Sequence, residues 1–331
     1  MNKNKKLLCI GDVVMDAFIV LKVARVHKHP DREHLELCMP FADKIPYESL
    51  QVVPAVGNAS NVAVGASRMG IDTTMLTSIG GDYYGKQILD LYKKEKVNTS
   101  FVKINKDKPT NYHFVLNYGP ERTILIKHQD YEYYDPEKLG DFDWIYFSSI
   151  GEHTLPFHNK LVKYLSAHPN VKMAFNPGTF QLKFGVKKIR EIYRHSYVLI
   201  VNREEAELIL NAKRDNIKEL LKGLRNLGAK IAVITDGPLG AYASDDDSFY
   251  FIPSYKDPKK PISRTGAGDA FSTGFLSGLI YGLSVPEALK WAPIESMNVV
   301  QHFGAQTGLL SKQELLKVLK NAPKNYKPKF I

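Results

Sequence analysis

Short runs of apolar residues alternate with stretches of helical periodicity along most of this chain. The apolar runs lie at residues 7–10, 144–147, 171–175, 197–201 and 231–234. Between the last two runs, apolar residues recur every three or four positions from Ile217 to Leu227, and Gly228 follows them. The alternation predicts an α/β fold, in which a mostly parallel central sheet carries helices on both faces.

Two intervals do not follow this alternation. Residues 17–54 and 110–128 are typical of strands with no intervening helices. The second interval contains two strand-like runs on either side of Gly119 and Pro120, and this pattern predicts a β-hairpin with its turn at those two residues.

Glycine or polar residues follow each predicted strand of the central sheet. They are residues 11–16 after the first run and Asn176, Asn202 and Thr235 after later runs. Because open parallel sheets bind ligands at the carboxyl ends of their strands, these residues predict one ligand-binding crevice. The alternative interpretation is that they are turn residues only, since turns favour Gly, Asn and Asp.

Composition narrows the class of protein. Hydrophobic residues make up 44% of the 331 residues, which is ordinary for a globular protein with a core. The apolar run at residues 7–10 is too short for a signal peptide or a membrane span, so we expect a cytoplasmic protein. The net charge of +10 is compatible with nucleic acid, but no basic stripe interleaved with aromatic residues occurs, which favours small anionic ligands.

The stretch from Ser263 to Phe271 combines two glycines, an alanine and a carboxylate at the start of a predicted buried helix. A glycine-rich turn of this kind presents free N–H groups at the positive end of the helix dipole, which is an anion site. Asp269 would repel a bound phosphate there, unless it accepts the proton of a hydroxyl that attacks the phosphate. The alternative is a turn that only allows close packing. The chain contains neither a complete Rossmann fingerprint at this turn nor a P-loop.

The segment Thr-Gly-Ala-Gly-Asp-Ala-Phe within this stretch resembles the C-terminal signature of the ribokinase-like (PfkB) family of carbohydrate and nucleoside kinases. Other segments resemble further family motifs, in the family's order. The resemblance implies an ATP-dependent phosphotransferase that acts on an alcohol group of a sugar or sugar-like substrate. It also implies one ribokinase-like domain over residues 1–331. A small β-lid from 17–54 and 110–128 would cover the substrate, and in many members it pairs with a second lid in a homodimer.

The resemblance implies a role for each residue of the signature. Asp269 becomes the catalytic base, and the backbone N–H groups of Gly266, Ala267 and Gly268 stabilise the transferred phosphoryl group. Asp16 stands where similar kinases hold sugar hydroxyls, and a carboxylate can accept hydrogen bonds from two of them.

The segment Val-Gly-Asn-Ala-Ser-Asn resembles the family's N-terminal signature, a diglycine followed by an asparagine at the head of a helix. Gly57 and Asn61 match this signature, and the resemblance implies that both contact the substrate. Val56 replaces the first glycine. The alternative is that Asn58 or Ser60 acts only as a helix cap.

Asn202 and Glu205 resemble the family's Asn-x-x-Glu motif, which implies that Glu205 lies near Mg²⁺ and contacts it through water. The same spacing is that of a capping box at a helix start, and both interpretations remain open. Ser284 and Glu287 share the spacing away from the predicted crevice, and there we predict a capping box alone. Ser263 stands where many members have an Asp that helps to bind a monovalent cation, so potassium activation does not follow from the resemblance.

Thr235, Gly237 and Gly240 resemble the family's Thr-x-Gly-x-x-Gly nucleotide loop, which implies that they face the phosphates of ATP. Gly304 lies in a Gly-Ala turn that resembles the turn near the adenine. A helix expected over residues 292–302 would form the other wall of the nucleotide site.

The acceptor remains open between a hexose or ketose, a nucleoside and a phosphosugar. Tyr112, Phe114 and Tyr118 could contact the base of a nucleoside, and Arg122 or Lys127 could bind the phosphate of a phosphosugar. A sugar or nucleotide sensor without catalysis and a basic nucleic-acid-binding protein are the alternatives from other classes.

Overall fold

The structure is a computed structural model that describes residues 5–28, 35–119, 121–212, 216–246 and 248–331. Pro120 of the predicted hairpin turn lies outside the described residues. Sixteen strands occur in the described parts: β1 Lys6–Ile10, β2 Val14–Leu21, β3 Arg25–Lys28, β4 Leu35–Cys38, β5 Tyr47–Val56, β6 Asp72–Gly80, β7 Asn98–Asn105, β8 Tyr112–Tyr118, β9 Glu121–Leu125, β10 Trp144–Phe147, β11 Lys172–Phe175, β12 Ser196–Asn202, β13 Ile231–Thr235, β14 Ala241–Asp245, β15 Ser248–Ile252 and β16 Lys329–Phe330.

Ten α-helices lie between these strands in the described residues: α1 Asn58–Arg68, α2 Tyr83–Lys94, α3 Leu155–Ala167, α4 Thr179–Lys188, α5 Arg190–His195, α6 Arg203–Leu210, α7 Ile217–Asn226, α8 Ala267–Ile280, α9 Val285–Val300 and α10 Lys312–Lys320. None of them is long and apolar enough to cross a membrane.

The large sheet has ten strands in the order β16-β15-β14-β13-β12-β11-β10-β1-β6-β7. Neighbours from β13 to β7 are parallel, and those from β13 to β16 are antiparallel. The five apolar runs of the sequence form β1, β10, β11, β12 and β13, which are consecutive neighbours in this sheet. The predicted fold class is therefore confirmed, and the carboxyl ends of these strands meet at one edge.

Strand β1 shows why helices cover both faces of the sheet. Its successive side chains point to opposite faces. Leu7 and Cys9 belong to one hydrophobic cluster together with residues of α1, α8 and α9. Leu8 and Ile10 belong to a second cluster with residues of α3, α5 and α7. An uninterrupted apolar run is what a strand buried on both faces requires.

A separate sheet has four strands in the order β5-β2-β8-β9, drawn from both of the intervals predicted to lack helices. Strand β2 pairs antiparallel with β5 and parallel with β8, while β8 and β9 form the predicted hairpin, with Tyr118 opposite Glu121. We call this sheet the lid. Strands β3 and β4 form a further two-stranded sheet.

Two predicted details near the C-terminal third are wrong. The helix expected over residues 292–302 is the later part of α9, which already begins at Val285 and ends at Val300. Ser284 does stand at the N-cap position of α9, but its side chain accepts no capping hydrogen bond. Glu287 instead pairs with Lys290, one helical turn further on, at 2.6 Å. Spacing alone therefore identified the helix start correctly and its side-chain contact incorrectly.

Candidate active site

The glycine-rich turn predicted as an anion site opens α8. Gly266 is the N-cap residue and has φ 80°, a left-handed conformation that favours glycine. A Cβ atom at this position would also lie 2.5 Å from the Cβ atom of Ala305. The backbone conformation and the close approach both require glycine, and together they fix the direction in which the helix begins.

The first backbone amides of α8 are the groups that this turn could offer to an anion. The N–H of Ala267 donates weakly to the carbonyl of Arg264, at 3.4 Å. Within the described part of the chain, the amides of Gly268 and Asp269 have no backbone acceptor. Unpaired amides at the positive end of a helix attract an anion. Gly268 and Asp269 therefore offer the freer donors, whereas Ala267 is already partly engaged.

A cavity of about 490 Å³ lies beside this turn. It contains five of the residues predicted to face ATP or its transferred phosphoryl group: Thr235, Gly237, Gly240, Ala267 and Gly268. Helix α9 forms another wall through Pro293, Ser296, Met297 and Val300. Gly240 has φ 113°, and a Cβ atom there would lie 2.3 Å from the carbonyl oxygen of Ile252. This turn, like the one at Gly266, can be built only with glycine.

Gly304 is not among the residues that line this cavity. It has φ 85°, and its open side faces Val53 of β5, 3.9 Å from the position of a Cβ atom. The next residue, Ala305, packs against Gly266. The Gly-Ala turn therefore lies next to the start of α8, and the predicted contact of Gly304 with adenine stays a prediction.

Asp269 lies in the first turn of α8 and faces α1. Its Oδ2 atom accepts a hydrogen bond of 2.7 Å from Nδ2 of Asn61, although the two residues are 208 positions apart. Burial raises the pKa of Asp269 to about 6, the hydrogen bond from Asn61 opposes this rise, and the negative charge of Glu205 adds to it. A carboxylate with such a pKa is a better proton acceptor near neutral pH than an ordinary aspartate.

The oxygen atom of the Asn61 amide contacts Gln306, a residue to which the sequence analysis assigned no role. Nε2 of Gln306 donates to Oδ1 of Asn61 at 3.0 Å and to the carbonyl of Ala55 at 2.6 Å. Gln306 is 6% exposed. Its proximity to Gly304 in the sequence was the available signal, but the partner in α1 is 245 positions away.

Gly57 is the N-cap residue of α1 and adopts φ 139°. A Cβ atom there would lie 2.4 Å from the carbonyl oxygen of Asp12, so the chain requires glycine. No side chain in the described part of the chain caps this helix start. Ser60 instead donates to the carbonyl of Ala55 at 2.5 Å. The alternative that Asn58 or Ser60 is a plain cap is therefore wrong.

Asp16 lies on β2 of the lid and is 6% exposed. Its Oδ1 atom is buried without a hydrogen-bond partner among the described residues, and the nearest cationic candidate is Nδ1 of His113, 3.7 Å away. Burial raises the pKa of Asp16 to about 7, and burial together with the neighbouring His128 lowers the pKa of His113 to about 4. A buried acceptor with no partner is the arrangement expected of a group that binds a ligand hydroxyl.

Asp12, one of the residues 11–16 of the predicted crevice, has partners for both carboxylate oxygens. Oδ1 accepts a bond of 2.5 Å from the hydroxyl of Tyr133, and Oδ2 lies 3.2 Å from Nδ1 of His128. Asn176 is similarly engaged, because its amide donates to the carbonyl of Ile200. These two residues of the predicted crevice hold neighbouring segments together.

Asn202 and Glu205 form the capping box at the start of α6. Oδ1 of Asn202 accepts from the N–H of Glu205 at 2.8 Å, and Oε2 of Glu205 accepts from the N–H of Asn202 at 2.9 Å. The capping interpretation is thus confirmed. It leaves the carboxylate half-buried and close enough to raise the pKa of Asp269. Asn202 pairs with Thr235 across β12 and β13, so the capping box lies at the edge of the sheet where the carboxyl ends of the parallel strands meet.

The described residues contain no group of three or more His, Cys, Asp or Glu side chains that could hold a metal ion. Mg²⁺ commonly keeps several waters and binds through one or two carboxylates together with substrate phosphates. A single half-buried carboxylate at Glu205 fits that mode, in which the nucleotide supplies the remaining ligands.

The side chain of Ser263 accepts a hydrogen bond from the N–H of Thr265 at 3.2 Å.

The aromatic residues considered for a nucleoside base do not face Asp16. Tyr112 and Phe114 flank His113 on β8, and successive residues of a strand point to opposite faces. They line a separate cavity of about 290 Å³ that also contains Lys127. Tyr118 packs in a small cluster around Leu116 instead. Ring side chains that do lie beside the two carboxylates include His113, 3.7 Å from Asp16, and Tyr133 and His128, which contact Asp12.

Comparisons with known proteins agree with this geometry. The sequence model of the family described as "pfkB family carbohydrate kinase" matches residues 5–312. The ribokinase of Bacillus subtilis is 28% identical over 280 residues, which cover 82% of this chain and 89% of that protein. The nucleoside kinase of Methanocaldococcus jannaschii is 26% identical over 93% of this chain and 94% of its own length. The crystal structure of a nucleoside kinase from that organism superposes with a TM-score of 0.76, at 21% identity, over 97% of this chain and 100% of its own.

The chain belongs to the pfkB family of carbohydrate kinases. It is a sugar or nucleoside kinase with a ribokinase-like α/β fold, in which a large, mostly parallel sheet is accompanied by a small separate lid sheet. Membership of this family implies that ATP is the phosphoryl donor.

Proposed function

We propose that this kinase transfers the γ-phosphoryl group of ATP to an alcohol group of a sugar or sugar-like substrate, with Asp269 as the base. The observation that carries the proposal is the position of Asp269. Its carboxylate lies in the first turn of α8, beside the unpaired amides of Gly268 and Asp269 itself, and burial raises its pKa to about 6.

In the proposed reaction, the hydroxyl oxygen of the substrate forms a bond to the γ-phosphorus while Asp269 accepts the hydroxyl proton. The bond from that phosphorus to the oxygen bridging it to the β-phosphate breaks, and ADP leaves. The transition state of such a transfer is loose, so proton abstraction by the base contributes little, and the positioning of the reacting groups contributes most. The amides at the start of α8 stabilise the charge on the transferred group.

We place ATP in the 490 Å³ cavity between α8, α9 and the turn at Gly240, with its phosphates toward Gly268. Two of the residues assigned to the nucleotide loop, Gly237 and Gly240, have positive φ angles that leave the backbone open to a ligand. We expect Mg²⁺ to accompany the phosphates, neutralising part of their charge, with Glu205 facing its water shell. Gly304 stays assigned to the nucleotide side, although it lies outside the cavity.

The acceptor alcohol would bind between the lid and the large sheet, with Asp16 accepting hydrogen bonds from its hydroxyls. The unpartnered Oδ1 atom of Asp16 supports this role. Gly57 allows the backbone to approach the substrate, and Asn61 links that region to Asp269. A nucleoside is the second candidate, because a relative that matches 93% of the chain is a nucleoside kinase.

We also propose that the lid forms a homodimer. Register places Val52, Phe114 and Leu125 in one row across the sheet, on the face opposite His113. These side chains are 41%, 43% and 53% exposed. An apolar row across an open sheet favours packing against a second copy. Sedimentation velocity is expected to show a dimer that Leu125→Lys dissociates, and a monomeric wild-type protein would contradict the proposal.

The direct test is an acceptor screen that follows ADP release from MgATP with hexoses, ketoses, nucleosides and phosphosugars. We expect at least one acceptor to stimulate ADP formation above hydrolysis by water, and mass spectrometry to find the acceptor mass increased by one phosphoryl group. Binding of sugars or ATP with no ADP formation for any acceptor would instead support a sensor without catalysis.

A further inference from the structure

Four groups form a continuous line of hydrogen bonds that ends at the proposed base. The line runs from the carbonyl of Ala55 through the amides of Gln306 and Asn61 to the carboxylate of Asp269, with donor–acceptor distances of 2.6, 3.0 and 2.7 Å. The four residues come from β5, the turn after α9, α1 and α8. The contacts between α1 and α8 thus pass through side chains as well as through hydrophobic packing.

The chemistry of the first group sets the direction of every bond in this line. A backbone carbonyl can only accept, so the Gln306 atom next to Ala55 must be the amide nitrogen. That same nitrogen lies 3.0 Å from Asn61, so the atom of Asn61 that it meets must be the oxygen. The remaining atom of the Asn61 amide is then the nitrogen, and it faces Asp269. Amide orientations that are otherwise ambiguous are fixed here by the network.

We infer that Gln306 is a positioning residue for Asp269: it holds the Asn61 amide in the one orientation that presents N–H groups to the carboxylate. The inference rests on the proposed role of Asp269 as the base. If the Asn61 amide turned over, its oxygen would face the carboxylate oxygen, and the ionised form of Asp269 would lose its hydrogen-bond donor. Gln306 therefore acts on the reaction through Asn61, without touching the substrate.

Gln306 is itself held in place from α1. Nη1 of Arg68 donates to the carbonyl of Gln306 at 2.7 Å and to that of Leu309 at 3.1 Å. The same guanidinium makes two bonds of 2.8 Å to the carboxylate of Glu95. Asn61 and Arg68 are seven positions apart, which is about two helical turns, so they lie on the same side of α1. One helix thus fixes both the backbone and the side-chain partner of Gln306.

The surroundings of Asp269 make the Asn61 donor important. Among the described residues, the titratable groups that interact with the carboxylate from neighbouring elements are Glu205 at the start of α6 and the hydroxyl of Tyr146 on β10. Neither of them supplies a positive charge. Within the described residues, the bond from Asn61 is the side-chain hydrogen bond that favours the ionised form of Asp269.

The test replaces Gln306 by Met, which has a similar length and volume but no hydrogen-bond donor. With saturating MgATP and acceptor, the acid limb of the kcat profile is expected to move up by about one pH unit. A limb shifted from pH 6 to pH 7 lowers kcat about fivefold at pH 6 and by less than about twofold at pH 8.5. Gln313→Met, the same substitution at an exposed position of α10, is the matched control and should leave the profile unchanged.

A purely structural role for Gln306 predicts a different result. Loss of packing would lower kcat by a similar factor at every pH, and raising the pH would not restore it. Either that outcome or an unmoved acid limb would overturn the inference. Asn61→Leu keeps the experiment decisive if Gln306→Met folds poorly, because it removes the donor directly and must move the limb in the same direction. In the Asn61→Leu background, Gln306→Met should produce no further shift.

The outcome separates this inference from the proposed function. If Asp269→Asn retains turnover, Asp269 is not the base and the proposed function fails. If Asp269→Asn abolishes turnover while Gln306→Met leaves the acid limb in place, the base stands and only the positioning role of Gln306 is lost.

Discussion

The proposed phosphate end and the proposed acceptor end of the site are built in different ways. At the phosphate end, consecutive residues from Gly266 to Asp269 supply backbone amides and a helix dipole, and the glycine at 266 is required by its own φ angle. At the acceptor end, Asp16, His113 and Asn61 come from three separate elements, and each depends on a neighbour distant in sequence.

This difference has a physical consequence for how each end responds to change. A site made of backbone groups is altered only by substitutions that bend the chain or fill its space. A site made of buried side chains is altered by any loss of a charge or a hydrogen bond. Substitutions at the two ends should therefore separate effects on phosphoryl transfer and ATP from effects on the acceptor.

The largest expected effect is that of Asp269→Asn, which tests the residue where the two ends meet. We expect kcat to fall by roughly 10²-fold or more, because the isosteric amide cannot accept the proton of the acceptor hydroxyl. The affinity for ATP, measured by calorimetry, should change little. A variant with near-normal turnover would remove Asp269 from the mechanism.

Asp16→Asn tests the acceptor end alone. We expect kcat/KM for the acceptor to fall about 10- to 100-fold, in line with the loss of a charged hydrogen-bond acceptor, while KM for ATP stays within about threefold of wild type. An equal loss for ATP and for the acceptor would show that Asp16 acts on the whole fold, and it would break the distinction between the two ends.

At alkaline pH, Asp16→Asn should be more stable to unfolding than the wild-type protein. Burial raises the pKa of Asp16 to about 7 in the folded protein, so its favourable contribution is complete at low pH and is lost as the pH rises through 7. At pH 8 we therefore expect Asp16→Asn to raise the free energy of unfolding by about 1 to 3 kcal/mol, with a smaller gain at pH 5.5. Asp12→Asn is the matched control and should destabilise the protein, because both oxygens of Asp12 are hydrogen-bonded.

A smaller effect is expected from Gly268→Ala at the phosphate end. No atom of the described residues lies within 4 Å of a Cβ atom at Gly268, so a methyl group there enters the proposed nucleotide cavity without strain. We expect normal thermal unfolding with kcat/KM for ATP reduced about 5- to 10-fold, because the methyl group keeps the phosphates away from the amides. Gly266→Ala should instead unfold at a lower temperature, since it clashes with Ala305. Equal behaviour of the two variants would contradict the geometry of this turn.

The two ends also differ in what the sequence could predict. The turn at Gly266 and the loop at Gly240 could be predicted locally, because glycine stands at the positions whose positive φ angles favour it. The strands of the large sheet could also be predicted locally, because a strand buried on both faces requires an uninterrupted apolar run. Gln306 could not be found in this way, because its partners lie 245 and 251 positions away and are brought together only by the packing of α1 against the turn after α9.

Local patterns also led to errors where a tertiary contact decides the outcome. Ser284 has the spacing of a capping box and makes no capping bond, whereas Asn202 has the same spacing and makes it. Strand pairing places His113 beside Asp16, which the sequence analysis did not expect, and it puts Tyr112 and Phe114 on the opposite face of β8, where their contact with a nucleoside stays a prediction. The face that a residue presents depends on register, which the composition of the hairpin does not specify.

The pH dependence of kcat, measured at saturating MgATP and acceptor, tests the central claim most directly. If Asp269 must be ionised to accept the hydroxyl proton, kcat should rise with pH through an acid limb near pH 6, where burial places the pKa of Asp269. The residual activity of Asp269→Asn should lack this limb. A wild-type profile that stays flat from pH 5 to pH 8, or an acid limb that persists in Asp269→Asn, would contradict the assignment of Asp269 as the base.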